Sequence, residues 1–222
     1  MPENTVTSRV QKLLSELPPH ILLVAAAKTR SVEEVREAVA AGITAIGENY
    51  VQEAIALREA FGDRITCHLI GHLQRNKVKK AVEVFDMIET VDSDRLAREI
   101  DKRCGDAGKI MPVLIEINSA REAQKGGVFP ENAETLAREI AVLKNIRLQG
   151  LMTMGPYGVD PETVRPFFRE TRRCFERIAA LNIPNVSMNL LSMGMSDSYR
   201  IAIEEGANLI RIGTGIFGQR TY

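Results

Sequence analysis

The chain has 222 residues, of which 45% are hydrophobic and 26% charged, a balance that suits one globular core and excludes a disordered or fibrous chain. Its 29 basic side chains equal its 29 acidic ones in number, so no net field draws it toward nucleic acid or an anionic membrane. Cys67, Cys104 and Cys174 are odd in number and widely spaced, which fits neither a disulfide framework nor a metal knuckle and leads us to expect reduced thiols in the cytosol.

The N-terminal segment mixes Glu3, Arg9, Lys12 and Glu16 with scattered apolar residues, unlike a signal peptide or an acid-poor transit peptide. Val6, Val10, Leu13, Leu14 and Leu17 share one side of a predicted opening helix, which Pro18 and Pro19 end. The apolar run that follows, residues 21–27, is too short to span a membrane. Strand-like runs then recur at 22–27, 44–47, 66–70, 87–91, 112–118, 147–152, 186–191 and 209–213. Helical patterns separate them, several opened by cap signals: Ser31 with Glu34, Asn49 with Gln52, and Asp160 before Pro161. Eight strand–helix units predict a single α/β domain over residues 1–222, a closed (β/α)8 TIM-type barrel with an extra N-terminal helix. An open doubly wound sheet is the rival, but no G-x-G-x-x-G follows the first strand. No repeat, low-complexity tract or linker marks a domain boundary.

In such barrels the reactive groups sit at the C-terminal ends of the strands, and the loops after strands seven and eight often hold phosphate. Here those loops are Ser192-Met193-Gly194-Met195-Ser196 and Gly213-Thr214-Gly215, rich in glycine and hydroxyls whose backbone N–H groups suit a phosphate. Plain turn chemistry is the competing reading of either loop alone; finding both at the expected strand ends favours a phosphate cup. Strand one ends abruptly in Lys28. In strand eight, Leu209, Arg211 and Gly213 share one face and Ile210 and Ile212 the other, which directs Arg211 into a solvent-accessible barrel mouth. Closure makes strands one and eight neighbours, so Lys28, Arg211 and the cup converge. A partly desolvated lysine beside an arginine has its charged form disfavoured, which frees the amine for Schiff-base chemistry. The plainer alternative is a Lys28 that snorkels to water.

Five motifs, taken together, are similar to those of the pyridoxal-phosphate homeostasis proteins, the YggS/PROSC family, almost end to end: Ala27-Lys28-Thr29, Gly47-Glu48-Asn49, His68-Leu69-Ile70-Gly71-His72-Leu73-Gln74 with Asn76-Lys77, Ser192-Met193-Gly194-Met195-Ser196, and Arg211-Ile212-Gly213-Thr214. The resemblance implies a barrel like the N-terminal domain of alanine racemase, no established catalysis, and a monomer. It implies pyridoxal 5′-phosphate held as a Schiff base on Lys28, Arg211 beside the pyridine nitrogen, and phosphate contacts at Ser192, Gly213 and Thr214. Asn49 is either a contact on the cofactor side or a helix cap. Departures from the family pattern stand at Tyr50, Cys67 and Ser198 and concern the rim.

His72 could act as a general base, but we expect a structural or ligand-orienting role. Arg75, Lys77, Lys79 and Lys80 read as a solvated helical face, as do Arg165, Arg169, Arg172, Arg173 and Arg177. An arginine at the ring nitrogen weakens the cofactor as an electron sink, where many enzymes place an acidic partner. Two-sided proton transfer also needs a second acid or base opposite the lysine, which the racemases resembled here take from an added domain; this chain runs nine residues beyond Gly213 to Tyr222. The expected function is therefore intracellular storage, buffering or delivery of pyridoxal phosphate, with cofactor-dependent apo-enzymes as candidate recipients. The alternatives are a weak racemase or lyase using that cofactor, and a Schiff-base aldolase.

Overall fold

Each of the eight apolar runs becomes a parallel strand, and the strands close in chain order into a barrel. The computed structural model describes residues 5–156 and 160–219; Glu3 and Tyr222, drawn on above, lie outside them. The strands are β1 (Leu22–Ala26), β2 (Ala45–Glu48), β3 (Thr66–Leu69), β4 (Met87–Val91), β5 (Met111–Glu116), β6 (Ile146–Met152), β7 (Val186–Ser192) and β8 (Leu209–Ile212). Pairing of β1 with both β2 and β8 closes the ring and rules out the open sheet.

Parallel strands with helices outside are buried on both faces, which is why these runs are nearly continuous in apolar residues. Leu23, Ala25, Ile46, Val113 and Ile115 belong to the large core between sheet and helices. The alternate residues face the barrel axis, where Met87, Leu114 and Met152 form a separate cluster and plug the barrel as packed side chains, not a pore.

The opening helix α1 (Val6–Glu16) buries Val6, Val10 and Leu13 and packs on α2 (Val32–Ala40) and on α9 (Thr214–Phe217). Leu14, expected on the same side, remains 39% exposed at the edge of that stripe. Ser31 caps α2 in a capping box with Glu34, and Asp160 accepts the Glu162 N–H at 2.9 Å to open the turn before α7 (Arg165–Ala180).

Asn49 is not a cap. Helix α3 (Val51–Phe61) starts from Tyr50 with no side-chain cap bond, because the chain at Asn49 is pressed against the next loop. A Cβ on Gly71 would lie 2.6 Å from the Asn49 Cα, so only glycine permits that crossing. The basic face of α7 is spent on surface ion pairs, Arg165 with Glu162, Glu204 and Glu205, Arg169 with Glu205, and Arg172 with Glu176. Such pairs contribute little individually. All three cysteines are free and buried. Among the described residues no helix is long and apolar enough to cross a membrane.

Candidate functional site

The β1–β8 register sets Val24 opposite Arg211 and Ala25 opposite Ile212. Continuing that register brings Lys28, just past the end of β1, alongside the Gly213–Gly215 turn. A Cβ on Gly213 would meet the Ala26 carbonyl at 3.3 Å, so the absent side chain leaves a cradle there. The two loops of the expected cup are tied together, because the Gly215 N–H donates to Ser196 Oγ at 3.1 Å. Lys28, Asn49, Arg211, Gly213 and Thr214 all line one pocket of about 320 Å3, and Ser196 joins them. That volume falls at the small end of ligand pockets, which span roughly 300–1,000 Å3.

Arg211 lies deeper than the sequence suggests. It is 3% exposed, not a group in an open mouth. Its Nη1 donates to Ser192 Oγ and its Nη2 to the Thr153 carbonyl at 2.8 Å. Ser192 in turn donates to Glu89 Oε2 at 2.6 Å, and His68 Nδ1 lies 2.7 Å from Glu89 Oε1. Burial opposes ionisation of Glu89, but the hydrogen bond and charge of His68, then Arg211 and Ser192, outweigh it and hold the carboxyl below the usual carboxylate range. Burial also lowers the Arg211 pKa, against the pull of Glu89 and Glu116.

Ser192 is therefore placed differently from expectation. It is fully buried with its hydroxyl committed to Glu89 and Arg211; the hydroxyl of that motif lining the pocket is that of Ser196. Glu89 has no place in the expectations from sequence, and His68 enters them only as the first position of a motif, without a role. The available signal was a carboxylate in the middle of the apolar run Met87-Ile88-Glu89-Thr90-Val91, since an ionisable group there needs a buried partner.

His72, from the segment between 68 and 77, lines the same pocket with a side chain 63% exposed, its Nδ1 3.7 Å from Asp92 Oδ2. Beside it Glu116 is 6% exposed. Burial, then the charge of Asp92, push the Glu116 carboxyl up to about 7, with Arg211 pulling the other way.

A half-buried amine at one wall, a fixed guanidinium below, and a glycine cradle edged by hydroxyls fit an anionic, carbonyl-bearing ring compound. Pyridoxal phosphate has those features. The donor set present therefore fits that cofactor.

The comparisons with known proteins agree with this architecture. Residues 4–221 match the family model for the alanine racemase N-terminal domain. The pyridoxal phosphate homeostasis protein of Aquifex aeolicus (strain VF5) is 43% identical over 90% of this chain and 87% of its own length. PipY of Synechococcus elongatus PCC7942, solved without and with PLP bound, is 35% identical and covered in full, matching 96% of this chain at TM-scores of 0.91 and 0.88. An alanine racemase of Clostridium difficile 630 shares the fold at a TM-score of 0.79 and 15% identity, with 56% of its length covered. The chain belongs to the pyridoxal phosphate homeostasis protein family, built on the barrel of the alanine racemase N-terminal domain.

Proposed function

We propose that this chain is an intracellular, cytoplasmic pyridoxal 5′-phosphate carrier that stores, buffers or delivers the cofactor as a single-domain monomer. The observation that supports it most is the meeting of Lys28, Asn49, Arg211, Gly213 and Thr214 at one pocket. When bound, pyridoxal phosphate supplies an aldehyde that an amine can hold covalently and release to another amine. Lys28 would supply the holding amine, as a Schiff base. Gly213 and Thr214, with Ser196, would receive the phosphate through N–H and hydroxyl donors. Arg211 would stand at the ring nitrogen and Asn49 along the ring.

The buried network favours holding over turnover. Arg211 is fixed by the Thr153 carbonyl and Ser192 and is charge-compensated by Glu89. A guanidinium gives no stabilisation to a proton on the ring nitrogen, whereas an acidic side chain would. Recipients of a delivered cofactor would be pyridoxal-phosphate-dependent apo-enzymes.

The test is a visible spectrum of the purified protein before and after borohydride, followed by an amino-acid panel read by chiral chromatography. The reading predicts a visible absorption that borohydride bleaches and no turnover. A colourless protein that takes up no added cofactor, or sustained racemisation, would contradict it.

A further inference from the structure

Across the ring from β1 stands β5, the fifth of eight strands in the closed order, and its last residue is Glu116. A Cβ on Gly126 would lie 3.4 Å from Glu116 Oε2, 3.7 Å from His72 Nδ1 and 3.8 Å from Asp92 Oδ2. The three groups thus converge on the space this glycine leaves open. Glu116 is only 6% exposed, yet among the described residues no hydrogen bond reaches its carboxyl. Among the described residues the buried side-chain atoms without a partner are on Glu48, Glu53 and Asp94, so the Glu116 oxygens reach the open notch beside Asp92, where they can accept from a bound donor.

The notch adjoins the cofactor pocket, because His72 and Met154 line that pocket and Met154 also lines the crevice against Glu116. We propose that Glu116, Asp92 and His72 form a site for a primary ammonium group, that of the amine receiving the cofactor, with Glu116 as its proton acceptor. The inference rests on the cofactor reading above and adds to it the acceptor's chemistry and entry side.

Charge supports an ammonium. The charged groups facing Glu116 are Asp92 after β4, His72 after β3, Arg211 on β8 and Lys125 in the loop after β5. Arg211 is compensated by Glu89, and the Lys125 ammonium is taken by Glu122 at 2.6 Å and the Gly155 carbonyl at 3.2 Å. Two carboxyls therefore share the notch with no lysine or arginine paired to either among the described residues, and with His72 3.7 Å from Asp92 as their neighbour. Burial, and then the repulsion of Asp92, push the Glu116 carboxyl up to about 7, which suits a proton acceptor at neutral pH.

The transfer balances without an oxidant or reductant. An N–H bond of the ammonium breaks as the Glu116 O–H bond forms, leaving a nitrogen lone pair. That nitrogen forms a C–N bond to the carbon held by Lys28 as the first of the two bonds from that carbon to the Lys28 nitrogen opens. The incoming nitrogen then gives up a second proton as its own double bond to the carbon forms, the remaining bond to Lys28 breaks, and both protons end on the departing Lys28 amine, the first by way of Glu116.

The experiment loads wild type and Glu116→Gln with pyridoxal phosphate, removes free cofactor, and follows its loss to L-alanine or to Nα-acetyl-lysine amide across pH. We expect both proteins to load, wild type to release with an inflection near about 7, and the variant to release about 100-fold more slowly without it. Preference for L-alanine identifies the acceptor as a free amino acid, and preference for the lysine amide as a protein side chain. A variant that loads and releases with the wild-type rate and pH profile overturns the proposal. Failure of wild type to load would instead overturn the cofactor reading. A second measurement needs no cofactor: with 13C-carboxyl glutamate in the apo protein, methylammonium should lower the titration midpoint of Glu116, and an unmoved midpoint overturns the site.

Discussion

Arg211 Nη1 stands 3.9 Å from Glu89 Oε2, and neither residue is open to solvent. Attraction at that distance is on the order of 4 kcal/mol at an effective dielectric of about 20, comparable with the several kcal/mol that each ion loses on burial. The attraction alone falls short of the cost of burying both ions, so the hydrogen bonds with Ser192, His68 and the Thr153 carbonyl complete the compensation, and either charge alone is costly. The interest of the pair is positional, since Ser192 and the Thr153 carbonyl hold the guanidinium at the pocket floor.

Charge reversal at this pair should break the fold. Sequence alone leads one to expect Arg211→Glu to change spectra more than folding, but the side chain is 3% exposed and faces Glu89 and Glu116. We expect Arg211→Glu to lose about 3–5 kcal/mol or more of stability, measured by denaturant unfolding. A variant as stable as wild type would place Arg211 in water.

Glu48 gives a pH signature of the opposite kind. Burial, then the neighbouring carboxyl of Glu53, push its carboxyl from 4.5 up to about 9. The folded chain keeps a proton that the unfolded chain has released, so this contribution is full below about pH 4.5 and is lost as pH rises toward about 9. Glu48→Gln should raise Tm by a few degrees at about pH 8 and leave it nearly unchanged at about pH 5, since 1 kcal/mol is worth roughly 2–4 °C in a chain of this size. Equal shifts at both pH values would contradict a protonated Glu48.

Gly71→Ala tests the crossing that places Asn49. Its Cβ would meet the Asn49 Cα and carbonyl oxygen at 2.6 Å, so the loops must part. We expect a loss of about 1–3 kcal/mol together with weaker cofactor binding by equilibrium dialysis. Wild-type affinity in a destabilised variant would detach Asn49 from the site.

Much of this was legible in sequence, for definite physical reasons. Doubly buried parallel strands must be apolar throughout, so eight such runs announce the ring, and strand-end chemistry picks out Lys28, Gly213 and Thr214. What escaped depends on contacts far apart in the chain. Nothing local distinguishes the hydroxyls of Ser192 and Ser196, yet Ser192 is claimed by Glu89 across 103 positions. Asn49 carries a cap signal that the close approach of Gly71 overrides. Burial on both faces of β4 also hid Glu89, because no polar–apolar alternation marks which residues face the axis.

Lys28→Ala should separate anchor from cup. Two or three charge-assisted bonds at the phosphate end, on the order of 1.5–3 kcal/mol each, would retain cofactor weakly while covalent attachment disappears. Circular dichroism melting should stay within a few degrees of wild type. A much lower melt with no retained cofactor would make Lys28 part of the scaffold.

The most direct test of the account is to reduce the cofactor-loaded protein with borohydride, digest it and locate the pyridoxyl mass. The account predicts the modification on the peptide bearing Lys28. A label found chiefly on Lys77 or Lys125, or none after full loading, would contradict it.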